Sequence, residues 1–358
     1  MIMLYSPDEQ ALIWLCACTD TDHRERAALL RAVKRPAQLF EQGELFFANV
    51  IKRRVNGLYK EGGCAFEAAR FVAEEEKKQR FFVTAVSADY PDSLKHIADP
   101  PLVLFCAGNG KLLKTRRFTI VGSRIIPPWA ETTGRTFAQT LSERFTIVTG
   151  FAEGGDGAAI AGAMASGNLI CVLPNGLNEC YPAAHAQLKE RVRRSGLLVS
   201  EYPPDERVKK YSFHARNRLL AGLSEGVLVL SAAARSGTLI TANCALEYGR
   251  DVFALPHNAG VKQGEGCNAL IKQGACLVTE PSDILSYYGM DAAAPVEFEL
   301  SAAEQTVLTV LQNGGELHVT QIAESARIPV YEASATLAAL EIKNLVVRAG
   351  ANRYAALK

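Results

Sequence analysis

Seven short apolar runs, each separated from the next by an amphipathic stretch, constrain the middle of this 358-residue chain more than any other feature. They run from Phe118 to Gly122, Phe145 to Gly150, Leu169 to Leu173, Leu197 to Glu201, Gly226 to Leu230, Asp251 to Pro256 and Ala275 to Thr279. Runs of this length and β-branched content predict buried strands, and the stretches between them are long enough for helices. Consecutive strands joined through helices are parallel with right-handed crossovers, so residues 81–289 are expected to form an α/β domain on a mostly parallel, doubly wound sheet.

The flanking segments have other rhythms. From about Ser6 to residue 80, apolar residues recur at three and four (Leu12, Leu15; Leu29, Leu30, Val33; Leu39, Phe40), which predicts a small helical domain over residues 1–80. Its glycine breaks at Gly57, Gly62 and Gly63 resemble those of SAM or helix-hairpin-helix modules, but a packing or interaction domain is the expected role. Residues 290–296, with small residues and Pro295, are expected to be a linker. The tail 297–358 has the order helix (303–311), turn, helix (320–326), turn, helix (331–343) and β-like end (345–354), which is winged-helix-like. Its third helix, from Tyr331 to Lys343, carries no basic or amide side chain before its last residue, and the tail holds 7 acidic against 5 basic residues. Contact with protein is therefore expected of it rather than contact with DNA bases.

A net charge of +1 excludes a generally polycationic molecule. Positive charge is instead clumped at Lys111 to Arg117, Arg191 to Arg194 and Arg207 to Arg218. Nine cysteines lack any paired C-x-x-C, with Cys16-Ala17-Cys18 the closest pair, so neither a zinc site nor a disulfide framework is expected. No apolar run reaches membrane-spanning length, and a reducing cytoplasm is the expected compartment.

Five motifs fall at the carboxyl ends of predicted strands, where open parallel sheets bind ligands. Gly122-Ser123-Arg124 ends the first run with a sharp turn, a hydroxyl and a guanidinium, a combination suited to an anion. Thr149 to Gly157, which includes Gly150, places a second glycine-rich turn beside it. Asn175 and Gly176 end the third run, and Tyr181 follows, its ring free either to stack on a base or to pack the turn. Arg216-Asn217-Arg218 opens a helix whose Leu219, Leu220 and Leu223 face the core. At least one of the two arginines must then leave the solvated face toward a ligand, unless both form structural ion pairs with Glu201 or Glu225. Ser236-Gly237-Thr238 begins another helix, with amides and hydroxyls for an anion. His214, His257 and Cys267 have no spacing that links them, and ordinary packing is expected of each.

In order along about 170 residues, these motifs resemble the DNA-processing protein A (DprA or Smf) family: Ile-Val-Gly-Ser-Arg, Thr-Gly-Phe-Ala-x-Gly-x-Asp, Gly-Leu-x-x-x-Tyr-Pro, Ser-Glu-Tyr-Pro-Pro, Arg-Asn-Arg-Leu-Leu-Ala-Gly-Leu-Ser, Ala-Arg-Ser-Gly-Thr-Leu-Ile-Thr-Ala and Gly-Cys-Asn-x-Leu-Ile-x-x-Gly-Ala. The resemblance implies an extended Rossmann-like domain that binds single-stranded DNA without catalysis, metal or cofactor. It implies a cytoplasmic homodimer that protects incoming DNA and loads the recombinase RecA during natural transformation. The DNA pocket it implies includes Gly122, Ser123, Arg124, Arg216, Arg218, Asn175, Gly176, Ser236, Gly237 and Thr238, and the motifs themselves add Gly150, Tyr181 and Asn217 to the expected DNA-binding residues.

The chain departs from the family pattern at Glu153, where an arginine is usual, at Ile160, where a histidine is usual, and at Pro127-Pro128-Trp129-Ala130, where Thr-x-Tyr-Gly is usual. A carboxylate at 153 is expected to repel a nearby phosphate. Two rival functions follow from the residues. Ser236-Gly237-Thr238 with Glu247 is a faint echo of nucleotide phosphoribohydrolases, and Glu153 allows a scaffold with a degenerate DNA pocket.

Overall fold

The computed structural model describes residues 5–18, 21–53, 64–290, 300–343 and 345–357. The chain forms two compact units, Met1–Met290 and Asp291–Lys358. Gly57, Gly62 and Gly63 lie outside the described residues, as does the expected linker beyond Met290.

The first unit is built on a sheet of nine strands: β1 (Arg80–Thr84), β2 (Val103–Gly108), β3 (Arg117–Val121), β4 (Thr146–Thr149), β5 (Leu169–Leu173), β6 (Leu197–Ser200), β7 (Gly226–Val229), β8 (Asp251–Ala254) and β9 (Cys276–Leu277). Their order across the sheet is β1-β2-β6-β5-β4-β3-β7-β8-β9. From β6 to β9 all neighbours are parallel. All seven expected strands are present. The two additional strands, β1 and β2, extend one edge in antiparallel pairing. Only the four-residue helix Asp92–Lys95 lies between them, so they lack the strand-helix alternation that marks the others.

Alternation along each strand feeds two buried faces. In β3, Phe118 and Ile120 enter one core while Val121 enters the other; in β5, Leu169, Cys171 and Leu173 separate in the same way from Ile170 and Val172. The expected boundary at residue 80 is not a gap in packing. Leu12, Ile13, Cys16 and Val72, from the helices Pro7–Ala17 and Cys64–Lys77, share a core with the sheet's own residues. The Phe82 amide also donates to the Tyr5 hydroxyl at 3.0 Å. Trp14, Leu15, Leu29, Leu39, Phe47, Cys64 and Ala68 add a satellite cluster.

Strand order reverses at β3. The chain runs outward on one side through β4, β5 and β6, then returns to place β7 on the other side of β3. This leaves a crevice beyond the carboxyl ends of β3 and β7, the position at which doubly wound sheets take ligands.

The second unit has helices Ala302–Gly314, Val319–Ala326 and Val330–Ile342 and a three-stranded sheet of β10 (Leu317–His318), β11 (Val346–Gly350) and β12 (Arg353–Ala356). It is a winged helix around Val307, Leu311, Ile322, Leu337 and Leu340. Its third helix buries Ala333 and Leu337 and exposes Val330 and Tyr331.

Candidate nucleic-acid interface

Gly122 ends β3 where the helix Gly155–Ala163 begins, and the two backbones touch. A Cβ on Gly122 would stand 3.0 Å from Gly155 Cα, and one on Gly155 would strike the Gly122 backbone. Gly154 has φ +72°, a left-handed conformation that glycine adopts without strain, and any side chain there would strike the carbonyls of Ser123 and Arg124. These glycines therefore serve the close approach of strand end to helix start. Ser123 is held in turn: its amide and hydroxyl both donate to the Ser231 carbonyl, at 2.8 and 3.1 Å. Its own carbonyl accepts from the Gly155 amide at 3.1 Å, and its hydroxyl lies 3.3 Å from that of Ser236.

This anchoring presents Arg124 at the rim of a cleft of about 600 Å³. The opposite wall is the start of the helix Ser212–Leu223 together with Lys209 and Lys210, and the end wall is Ser236, Gly237 and Thr238. The Arg124 guanidinium lies 4.8 Å over the Phe213 ring, and Tyr181 meets the same ring edge-on with centroids 5.5 Å apart. Arg124 and Lys210 are exposed, and neither has a carboxylate within ion-pair distance among the described residues. Lys209 is paired with Glu206. The Phe213 ring, with the Arg124 guanidinium over it, and the exposed Lys210 thus line one side of the crevice.

The floor is different in kind. Arg216 is only 4% exposed; its Nη1 donates to the Val172 carbonyl at 2.5 Å and its Nε to Asn217 Oδ1 at 3.1 Å. Asn217 passes the restraint on, donating from Nδ2 to the Gly237 carbonyl at 3.1 Å. Asp156 is buried nearby. Burial pushes its carboxyl above the usual carboxylate range, with the Arg216 charge pulling the other way, and burial lowers Arg216 in the same manner. A side chain on Gly150 would collide with both groups, so Gly150 is a spacer beneath the cleft and not part of its lining.

The structure brings Gly122, Ser123, Arg124, Tyr181, Arg216, Asn217, Ser236, Gly237 and Thr238 to one cleft. It does not bring Arg218, Asn175 or Gly176 there. Arg218 points away to Glu201 at 2.6 Å and Asp99 at 3.4 Å. Asn175 is buried and donates to the carbonyls of Gly176 and Glu179, while Gly176 is the point where the Pro203–Pro204 backbone passes too close for any side chain. Glu153 is exposed and does not line the cleft, and Ile160 is a core residue. Phe213, Lys209, Lys210 and Asp156 line the cleft without being among the expected DNA-binding residues, although the two lysines lie in the basic clump Arg207 to Arg218 and Asp156 in the glycine-rich motif. The signal available for three of them was Lys-Lys-Tyr-Ser-Phe, paired cations with interleaved rings at a helix start.

Comparisons with known proteins agree in extent with this architecture. A family model described as DNA recombination-mediator protein A matches residues 81–289, and one described as DprA winged helix domain matches residues 291–352. Protein Smf of Escherichia coli is 42% identical over 280 residues, 75% of each chain. DNA processing protein DprA of Streptococcus pneumoniae is 41% identical over 200 residues, 56% of this chain and 71% of that one. A crystal structure of the Streptococcus pneumoniae protein matches 84% of this chain and 100% of its own at a TM-score of 0.63 and 31% identity. DNA processing protein A from Helicobacter pylori, solved for insight into its single-stranded DNA binding mode, matches 59% of this chain and 95% of its own at a TM-score of 0.54 and 30% identity.

Proposed function

The chain belongs to the DNA recombination-mediator protein A family, and from that premise we propose that it binds single-stranded DNA, without catalysis, in the cleft between Arg124 and the helix Ser212–Leu223. The observation that carries this reading is the Phe213 ring, set between the Arg124 guanidinium and the Tyr181 ring. An unstacked base that takes the guanidinium's place on the Phe213 face gains about 1–3 kcal/mol, whatever its identity, and turns Arg124 toward a phosphate. Arg124 and Lys210 supply the cations for the adjacent phosphates, which give affinity and register but no sequence preference. A paired base has no free face to offer, so the cleft favours single strands over duplex. The relative from Helicobacter pylori supports the same ligand.

The rival phosphoribohydrolase reading needs Glu247 at the cleft. The one carboxylate that lines the cleft is Asp156, buried and set beside Arg216, whereas Glu247 is exposed and does not line the cleft. In this proposal the protein acts in the cytoplasm as a homodimer, protects incoming single strands and loads RecA onto them during natural transformation. These last steps rest on the family.

The test is a fluorescence anisotropy titration of the full chain with a labelled oligo-dT and with duplex of equal length, at two salt concentrations. Tighter binding of the single strand, weakening steeply with salt, is the expected result. Absent binding of the single strand would remove the DNA reading, and equal binding of duplex would remove the preference for single strands. Release of free base from a nucleoside monophosphate would put the phosphoribohydrolase reading in its place.

A further inference from the structure

A second aromatic site lies at the same carboxyl edge of the sheet as the cleft and has no part in the function described so far. Trp129, at the start of the helix Pro128–Leu141, is 47% exposed, whereas the chain's other tryptophan, Trp14, is buried. Its indole lies against the His257 imidazole, with centroids 4.9 Å apart and planes at 58°. Together with Pro256, Asn258 and Val261 the pair lines a concavity of about 360 Å³.

The platform is rigid. The His257 amide donates to Asn268 Oδ1 at 3.1 Å, Asn268 Nδ2 donates to the His257 carbonyl at 2.9 Å, and His257 Nε2 lies 3.0 Å from the Leu230 carbonyl. Because that partner only accepts, Nε2 is the protonated nitrogen.

Its placement ties it to the cleft. The Leu230 carbonyl that fixes His257 immediately precedes the Ser231 carbonyl that fixes Ser123. Two successive carbonyls just after β7 thus point to opposite sides, one anchoring the cleft and the other the Trp129 platform, both at the carboxyl edge of the sheet. Along the connecting loop, Arg124 and Trp129 are five residues apart, about 18 Å at full extension. Between them Ile125 stands 79% exposed, an apolar side chain with nothing over it.

We propose that Trp129 and His257 form a second nucleobase subsite: a single strand leaving the cleft passes over Ile125 and stacks a base on the Trp129 indole. The proposal rests on the cleft being the DNA site. Stacking on an indole tolerates any base, so the subsite adds length-dependent affinity and no sequence preference.

The experiment uses the full-length Trp14→Phe variant, in which Trp129 is the sole tryptophan, and follows its emission in parallel with the anisotropy of the labelled oligo-dT. A four-nucleotide strand is expected to bind without changing the emission and a twelve-nucleotide strand to quench it. Trp129→Ala should weaken the longer strand roughly tenfold and leave the shorter one unchanged, with Trp129→Phe retaining most of the affinity. If Trp14→Phe does not fold, the difference in emission between the wild type and Trp129→Phe gives the same readout. Binding of the longer strand with constant emission would overturn the subsite while leaving the cleft intact, and so would an equal loss for both lengths in Trp129→Ala. A change in Trp129 emission with protein concentration alone would assign the platform to a second copy of the chain and overturn it as well. Flat anisotropy for every strand would overturn the cleft reading, and this one with it.

Discussion

At the residue scale, the cleft divides its side chains between those that hold a ligand and those that hold the cleft. Phe213 belongs to the first group, and Phe213→Ala should weaken single-strand binding by about 1–3 kcal/mol with little change in unfolding midpoint, read by anisotropy and urea titration. Arg216 belongs to the second. Removing its charge from beside the buried Asp156 should destabilise the protein by about 3 kcal/mol. That deficit should depend on pH. The Asp156 carboxyl already sits above the usual range when folded, so the folded state binds the extra proton and stability falls as pH rises from the ordinary carboxylate value through the raised one. Without Arg216 the carboxyl rises further. The deficit of Arg216→Ala relative to the wild type should therefore be small near about pH 4 and grow toward about pH 8, measured as unfolding free energy at each pH. Arg216 and Arg218 are both expected in the DNA pocket from the sequence, yet helical periodicity separates them. Arg216 is three, four and seven residues before Leu219, Leu220 and Leu223, which puts it on their buried face, whereas Arg218 falls off that face and finds Glu201. What periodicity could not supply was the partner across the cleft, because Phe213 meets Arg124 only through the tertiary fold.

At the scale of elements, the parallel strands were readable because each is a short apolar run followed by a helix. β1 and β2 were not, since antiparallel neighbours need no crossover and leave no such alternation. The glycines carried a more ambiguous signal. Gly122, Gly154 and Gly155 read as a phosphate-cradling pair of turns, yet their geometry is that of a strand end packed on a helix start. Gly237 differs: a Cβ there would meet nothing within 4 Å, and its φ of −60° suits any residue. Gly155→Ala should therefore separate β3 from the helix Gly155–Ala163 and cost roughly 2 kcal/mol or more, whereas Gly237→Ala should stay within about 0.5 kcal/mol of the wild type in denaturant titrations. Loss of stability in both, or in neither, would contradict this assignment.

At the scale of the whole molecule, the cleft is formed entirely within the first compact unit, while the winged helix has its own core and a third helix without a cation along its length. A chain ending at Met290 should therefore bind single-stranded DNA with an affinity within about twofold of the full chain, measured by anisotropy; a larger loss would give the winged helix a share of the DNA. The balanced net charge places the same weight on local groups, because no general positive field draws the strand in. The central claim is that Arg124 contacts the phosphates of a bound single strand, and the salt dependence of affinity reads this directly. Plotting log K against log salt for the wild type, Arg124→Ala and Arg218→Ala, the slope for Arg124→Ala should be shallower by about one phosphate contact, roughly 0.7, with Arg218→Ala keeping the wild-type slope. A slope unchanged by Arg124→Ala, or a loss found only in Arg218→Ala, would contradict the account.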